Sequence, residues 1–171
     1  VRVLSIISGM VAISGLTLTG GNADADYNGG GGLYVESGVH LIADDLAVTA
    51  NTSKDSGGGI RNHGVLTLTN SLVDRNIVTY AVADYTLYGG GIANLGTAFL
   101  NQTQIVSNTV IPGFSRAAGG GLYNQDPGIL TLTNSAVFSN TASYGSGGGI
   151  LNNGQLAIVN STIAGNQATD N

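Results

Sequence analysis

The chain has 171 residues, 42% of them hydrophobic and only 9% charged, with a formal net charge of −5. That is enough apolar content for one domain with a core, and too few basic residues to neutralise a nucleic acid or an anionic membrane surface. The absence of cysteine removes disulfides, thiolate metal sites and cysteine nucleophiles, and 28 glycines with 2 prolines and no Trp fit a turn-rich β protein better than a helical one.

Val1 in place of Met marks a processed chain or a piece of a longer one. The apolar run "VLSIISGMVAISGLTLTG" (3–20), followed by Ala23-Asp24-Ala25, has some features of a targeting segment with a small-residue cleavage site. Against this, its only basic neighbour is Arg2, it is rich in Ser, Thr and Gly, and its Val, Ile and Thr alternate with small residues as in strands. It is read as folded strands, the first coil of a repeating structure.

A repeat then dominates the chain. Three glycines followed by Leu or Ile begin at Gly30, Gly57, Gly89, Gly119 and Gly147. "VLTLTNSLVDRN" (65–76) aligns without a gap on "TAFLNQTQIVSN" (97–108), "ILTLTNSAVFSN" (129–140) and "QLAIVNSTIAGN" (155–166). "HLIADDLAVTAN" (40–51) fits more loosely, and "MVAISGLTLTGGN" (10–22) needs an indel. Each repeat holds three pieces too short for helices: Gly-Gly-Gly-Ile-x-Asn, x-Leu-Thr-Leu-Thr-Asn and x-Val-x-x-Asn. The Leu-Thr alternation has the period of two that sends Leu to one face and Thr to the other. The expected fold is all-β: a parallel β-helix, one domain over residues 1–171, of about six three-stranded coils spaced about 4.8 Å apart and standing roughly 29 Å tall.

Leu66 and Leu68 are expected to stack on Leu130 and Leu132 and on Leu156 and Ile158, with Thr67 and Thr69 outward. Asparagines fall into three corner columns: Asn62, Asn94, Asn124 and Asn152; Asn70, Asn134 and Asn160, with Gln102 in register; and Asn51, Asn76, Asn108, Asn140 and Asn166. They are read as turn residues that tolerate a left-handed backbone and can bond the local chain or the Asn of the next coil. The triple glycines supply positive φ and close backbone passage. No Lys-Ser or Lys-Thr pair and no helix comes after them, so they are not phosphate loops, and neutral Asn at the turns is a poor match to calcium-binding β-roll repeats.

The pattern "GGGIxNxGxLTLTNSxVxxN" resembles the repeats of bacterial extracellular β-helix proteins of the pectin-lyase-like superfamily, including the polymorphic outer-membrane-protein type. The likeness covers about Gly29 to Asn166 well and the first residues less well. It implies a right-handed coil and an extracellular or cell-surface location. It does not imply an activity, because that superfamily contains lyases, hydrolases, adhesins and scaffolds.

Nor do the residues compose a catalytic constellation. The ten acids share no column. Asp44-Asp45 stands where other coils have Thr-Asn or Val-Asn, and Asp74-Arg75 reads as a surface ion pair. His40 and His63, one coil apart, lack a placed carboxylate and are read as structural. The expectation is a protein that is not an enzyme, with no catalytic residue, metal site or cofactor. Sequons at Asn51, Asn101 and Asn160 fall on turns or strand ends.

The connections after the third strand vary in length and carry Tyr27, Tyr80, Tyr85, Tyr88, Phe114 and Tyr144, an expected contact strip for a glycan or a sister filament. No cap is evident at either end. Val1, Val3, Leu4 and Ile6 are therefore expected to meet Leu156, Ile158 and Ile163 of another copy in a head-to-tail homopolymer, a structural fibre subunit. A surface adhesin module excised from a longer passenger is the second reading, and a polysaccharide lyase or hydrolase a distant third.

Overall fold

A computed structural model describes residues 1–24, 29–80, 86–113 and 116–169. Every regular element in it is a β-strand and every strand pairing is parallel, so the chain is a β-solenoid. Its first face is six strands deep: Leu4–Ile6, Leu33–Val35, Ile60–Asn62, Ile92–Asn94, Leu122–Asn124 and Ile150–Asn152. These define layers one to six, and residues 3–20 supply most of layer one, with Leu4–Ile6 on Leu33–Val35 and Met10–Thr19 on His40–Thr49.

The second face continues His40–Thr49 with Val65–Thr69, Thr97–Asn101, Ile129–Thr133 and Gln155–Val159. Leu66, Ala98, Leu130 and Leu156 form one inward column, and Leu68, Leu100, Leu132 and Ile158 the next, as the alternation requires. From layer two to layer five these columns are buried completely or nearly so, giving a narrow core made of whole stacks rather than of scattered contacts.

The third face begins after a left-handed residue: Asn70, Gln102, Asn134 or Asn160, each with φ between 47° and 51°. Asp45 and Gly15 occupy the same bend in layers two and one, where the strand runs through it unbroken. Asp44 aligns with Thr69 and accepts a hydrogen bond from Asn70 Nδ2 at 3.0 Å, so the acidic pair is a surface variant of the Thr-Asn corner.

The other two asparagine columns do something different from what the sequence leads one to expect. At the third corner the left-handed residue is the one before the Asn: Ala50, Arg75, Ser107, Ser139 or Gly165. That turn swings Asn51, Asn76, Asn108 and Asn140 into the interior, where all four are fully buried. Asn62, Asn94 and Asn124 are buried in the same way beside the first face. A buried amide must be paired, and here its partner is the same residue one layer on. Asn108, for example, gives Nδ2–H to Asn140 Oδ1 at 3.0 Å and to the Val73 carbonyl at 2.9 Å, while its own Oδ1 accepts Asn76 N–H and Nδ2–H, both at 3.0 Å.

The triple glycine is a consequence of this column. Gly57 has φ +62°, a conformation that disfavours a Cβ, and a Cβ at Gly59 would lie 2.8 Å from the Asn76 side chain and from the Gly91 carbonyl oxygen. The first glycine turns the chain and the third leaves room for the buried amide.

The structure adds a fourth short strand to the three expected in each coil. Asn22–Ala23, Thr52–Ser53, Ile77–Tyr80, Thr109–Pro112, Thr141–Ser143 and Gln167–Thr169 form a six-stranded sheet within what the repeat leaves as connections. In layers three to five the chain returns through Leu87–Tyr88, Ala117–Ala118 and Gly145–Ser146, closing a small second core of Val78, Leu87, Val110, Ala117 and Ala142. The repeat alignment hides this ridge because its length differs from layer to layer.

These roles predict opposite outcomes for two asparagines. Asn108→Ala strands the Asn76 donors in a dry interior and costs roughly 3 kcal/mol or more in chemical denaturation. Asn134→Gly, at an exposed left-handed corner, is neutral or stabilising by up to about 1 kcal/mol.

Candidate functional site

Polar side chains gather on two surfaces of the described residues. The first is the outer side of the first face in layers one to three. Tyr34 and Arg61 are neighbours in register and project outward, flanked by Glu36, His63 and Asp55. The Arg2 guanidinium sits 4.6 Å from the Tyr34 ring centroid, and the His63 ring centroid lies 5.6 Å from it. Arg61 donates to Asp55 in an ion pair and gives its Nε–H to His63 Nε2 at 3.1 Å, while Tyr34 Oη donates to Glu36 Oε2 at 3.3 Å.

Accepting from Arg61 requires His63 to be neutral at Nε2. Burial, reinforced by the Arg61 charge, pulls its pKa below the ordinary 6.5. The Ser37 N–H bonded to Glu36 holds that carboxylate below its ordinary range, and burial raises the Tyr34 phenol. The groups satisfy one another: this is a clasp binding three layers, with its acid and bases already occupied.

The second surface is a groove of about 480 Å³ along the second bend of layers four to six. Gln102, Asn134 and Asn160 stand at the bend, with Gln104, Thr162 and Phe138 on the adjoining strands. Its lining is uncharged and rich in amide donors and acceptors around one aromatic ring, chemistry suited to a neutral hydrogen-bonding ligand.

The structure scatters the sequence-derived candidates. His40 pairs with Val65, two residues beyond His63, so the two histidines are out of register, and among the described residues no three His, Asp or Glu side chains gather as for a metal. Arg75 Nε meets Asp74 at 2.8 Å as an ion pair. Of the aromatic strip, Tyr27, Tyr85 and Phe114 lie outside the described residues, and Tyr80 ends a strand with its Cα opposite Pro112. Tyr88 turns back onto the solenoid and stacks on Tyr123 at 4.2 Å between centroids, while Tyr144 is 47% exposed at a left-handed turn. These two do not continue one another as an outward row. Asn51 is fully buried and so cannot present its sequon in the folded chain, whereas Asn160 is exposed.

The end residues differ among themselves. Val1 and Val3 are exposed, Leu4 is half-buried and Ile6 already belongs to the core; Leu156, Ile158 and Ile163 are exposed by 37–48%.

Comparison with protein-family models, with curated proteins and with solved structures returns no match.

The sequence reading missed a fourth polar column. Ser71, Thr103, Ser135 and Ser161 come directly after the left-handed corner and turn inward: Leu46 N–H donates to Ser71 Oγ at 3.2 Å, Thr103 N–H to Ser135 Oγ at 3.1 Å and Ser135 N–H to Ser161 Oγ at 3.0 Å. Its signal was the hydroxyl residue after every Asn or Gln of the second asparagine column.

The clasp predicts a pH dependence. In the unfolded chain His63 protonates near the ordinary 6.5, before the folded protein does, so stability is complete above that pH and declines as pH falls from it toward the lower folded value. Glu36 adds a separate loss below its ordinary 4.5. Thermal melting temperatures of the wild type are expected to fall as pH drops below 6.5; His63→Gln, which retains an acceptor for Arg61, flattens that first decline and leaves the loss below 4.5 that Glu36 contributes.

Proposed function

We propose that this protein is a structural β-solenoid module of an extracellular surface protein, a stiff rod segment that displays its flank to partners and performs no chemistry. One observation carries the reading. The buried polar side chains that recur in register are consumed by ladders between layers, and no buried side-chain nitrogen or oxygen among the described residues lacks a partner. Catalytic sites leave polar groups aimed at substrate with their pKa values tuned for the task; here they are spent on holding the layers together.

The resemblance of the repeat to surface β-helix proteins supports the compartment. The uncharged amide groove supports contact with a neutral glycan or a polar protein surface rather than with an acidic polymer. Two kinds of rod use this architecture: a filament of identical copies, and a longer solenoid in which these layers are joined by others of the same kind.

Protease shaving and antibody labelling of intact producing cells test the assignment. The protein is expected to be cleaved and labelled from outside. Recovery only after lysis contradicts the reading, as does release of reducing or unsaturated ends from a panel of polysaccharides.

A further inference from the structure

The groove along the second bend is shaped by substitutions within the repeat. Leu72, Gln104, Ala136 and Thr162 stand in register on the outer side of the third face, opposite the buried column of Val73, Ile105 and Val137. Layer five carries only a methyl group there, and the groove passes over it, with the bend on one side and Phe138, two residues along the same outer side, on the other. The wall at the bend is a column of amides. Gln102, Asn134 and Asn160 are exposed and share a left-handed backbone, with φ of 49°, 51° and 47°. In layer three the equivalent Asn70 gives its Nδ2–H to Asp44. Among the described residues no hydrogen bond takes up the side-chain amide of Asn134 or Asn160, and Gln102 engages only Asn101, whose Nδ2 donates to its Oε1 at 3.3 Å. Beneath them the Thr103 and Ser135 hydroxyls donate to the Asn101 and Thr133 carbonyls at 3.0 and 2.8 Å and require nothing from a ligand.

Charge and size select the ligand. Along the same line in layers two and three stand Asp44, Asp45, Asp74 and Arg75, with Arg75 paired to Asp74, whereas no charged side chain lines the groove in layers four to six. Uncharged amides, each offering donors and an acceptor, complement hydroxyl groups, which are donors and acceptors at once. An anionic ligand finds no cation in this lining, in a chain with 10 acidic and 5 basic residues. Phe138 adds an apolar ring against which the C–H face of a sugar packs. The groove, nine residues around about 480 Å³, falls within the roughly 300–1,000 Å³ of small-ligand clefts and far below the about 20–30 residues a side of a stable protein interface.

We propose that this groove binds a linear neutral oligosaccharide of β-linked hexopyranoses, lying along the solenoid axis. Layers repeat about every 4.8 Å, and an extended β-linked chain advances by a similar length per ring, so successive hydroxyl groups meet successive amides. The inference rests on the reading of the chain as a surface rod and names the ligand of its flank.

NMR titration of the folded chain with cellohexaose, β-mannohexaose, maltohexaose and hexa-β-mannuronate tests it. Cellohexaose or β-mannohexaose is expected to shift the side-chain amide resonances of Gln104, Asn134 and Asn160 to saturation. Maltohexaose, whose chain coils, and the charged mannuronate are expected to bind about tenfold more weakly or not at all. Ala136→Leu gives layer five the residue that layer three carries at Leu72, fills the groove and is expected to lower the affinity about tenfold or more. Asn134→Gly keeps the left-handed corner, removes one amide and is expected to lower it about three- to tenfold. Saturable shifts with none of the four sugars overturn the proposal. So does mannuronate or maltohexaose binding as tightly as the extended neutral chains, or an affinity unmoved in both variants. Cell-surface labelling tests the rod reading separately: a surface protein that binds none of these sugars loses this inference alone, and a sugar-binding protein recovered only after lysis loses the surface reading alone.

Discussion

A polar side chain that enters a dry core can be satisfied in few ways, and this fold pairs each buried asparagine with the asparagine of an adjacent layer and with main-chain carbonyls beside it. An asparagine carries both an acceptor and donors, so a column of them forms a continuous ladder with nothing left over except at its ends. Other regularities of the coil depend on these ladders. The left-handed residue before each buried Asn of the third corner aims it inward, the third glycine of each triplet leaves space for its amide, and the leucine columns stack in the same register.

The same economy accounts for the buried polar columns of the described residues. Recurring polar residues usually invite a catalytic reading, and here they recur because the layers do. Among the described groups that break the repeat, Arg2, Tyr34, Glu36, Asp55, Arg61 and His63 bind one another across three layers. An uncharged groove lies on the flank of layers four to six.

Much of the architecture is legible in the chain. The period-two alternation at Leu66 and Leu68 and its copies at Leu130, Leu132, Leu156 and Ile158 fix strand, face and register together. The three asparagine columns are visible too, but their roles are not: spacing alone does not tell whether Asn70 or Asn76 takes the left-handed turn, since one residue of offset exchanges a solvent corner for a buried ladder. The fourth strands and their small core are hidden by variable connection lengths. The clasp around Arg61 is hidden because its members come from unequal positions in different layers. The stack of Tyr88 on Tyr123 shows why aromatic content in a loop says little about which way the rings face.

The claim on which this account depends is that the buried asparagine ladders, rather than the apolar columns alone, hold the layers in register. Side-chain amide hydrogen exchange, read residue by residue by NMR, tests it most directly. The Nδ2 protons of Asn76, Asn108 and Asn140 are expected to exchange only through global unfolding, with free energies matching denaturation, while those of Asn134 and Asn160 exchange freely. Rapid exchange of the buried amides in a protein that remains folded would contradict it.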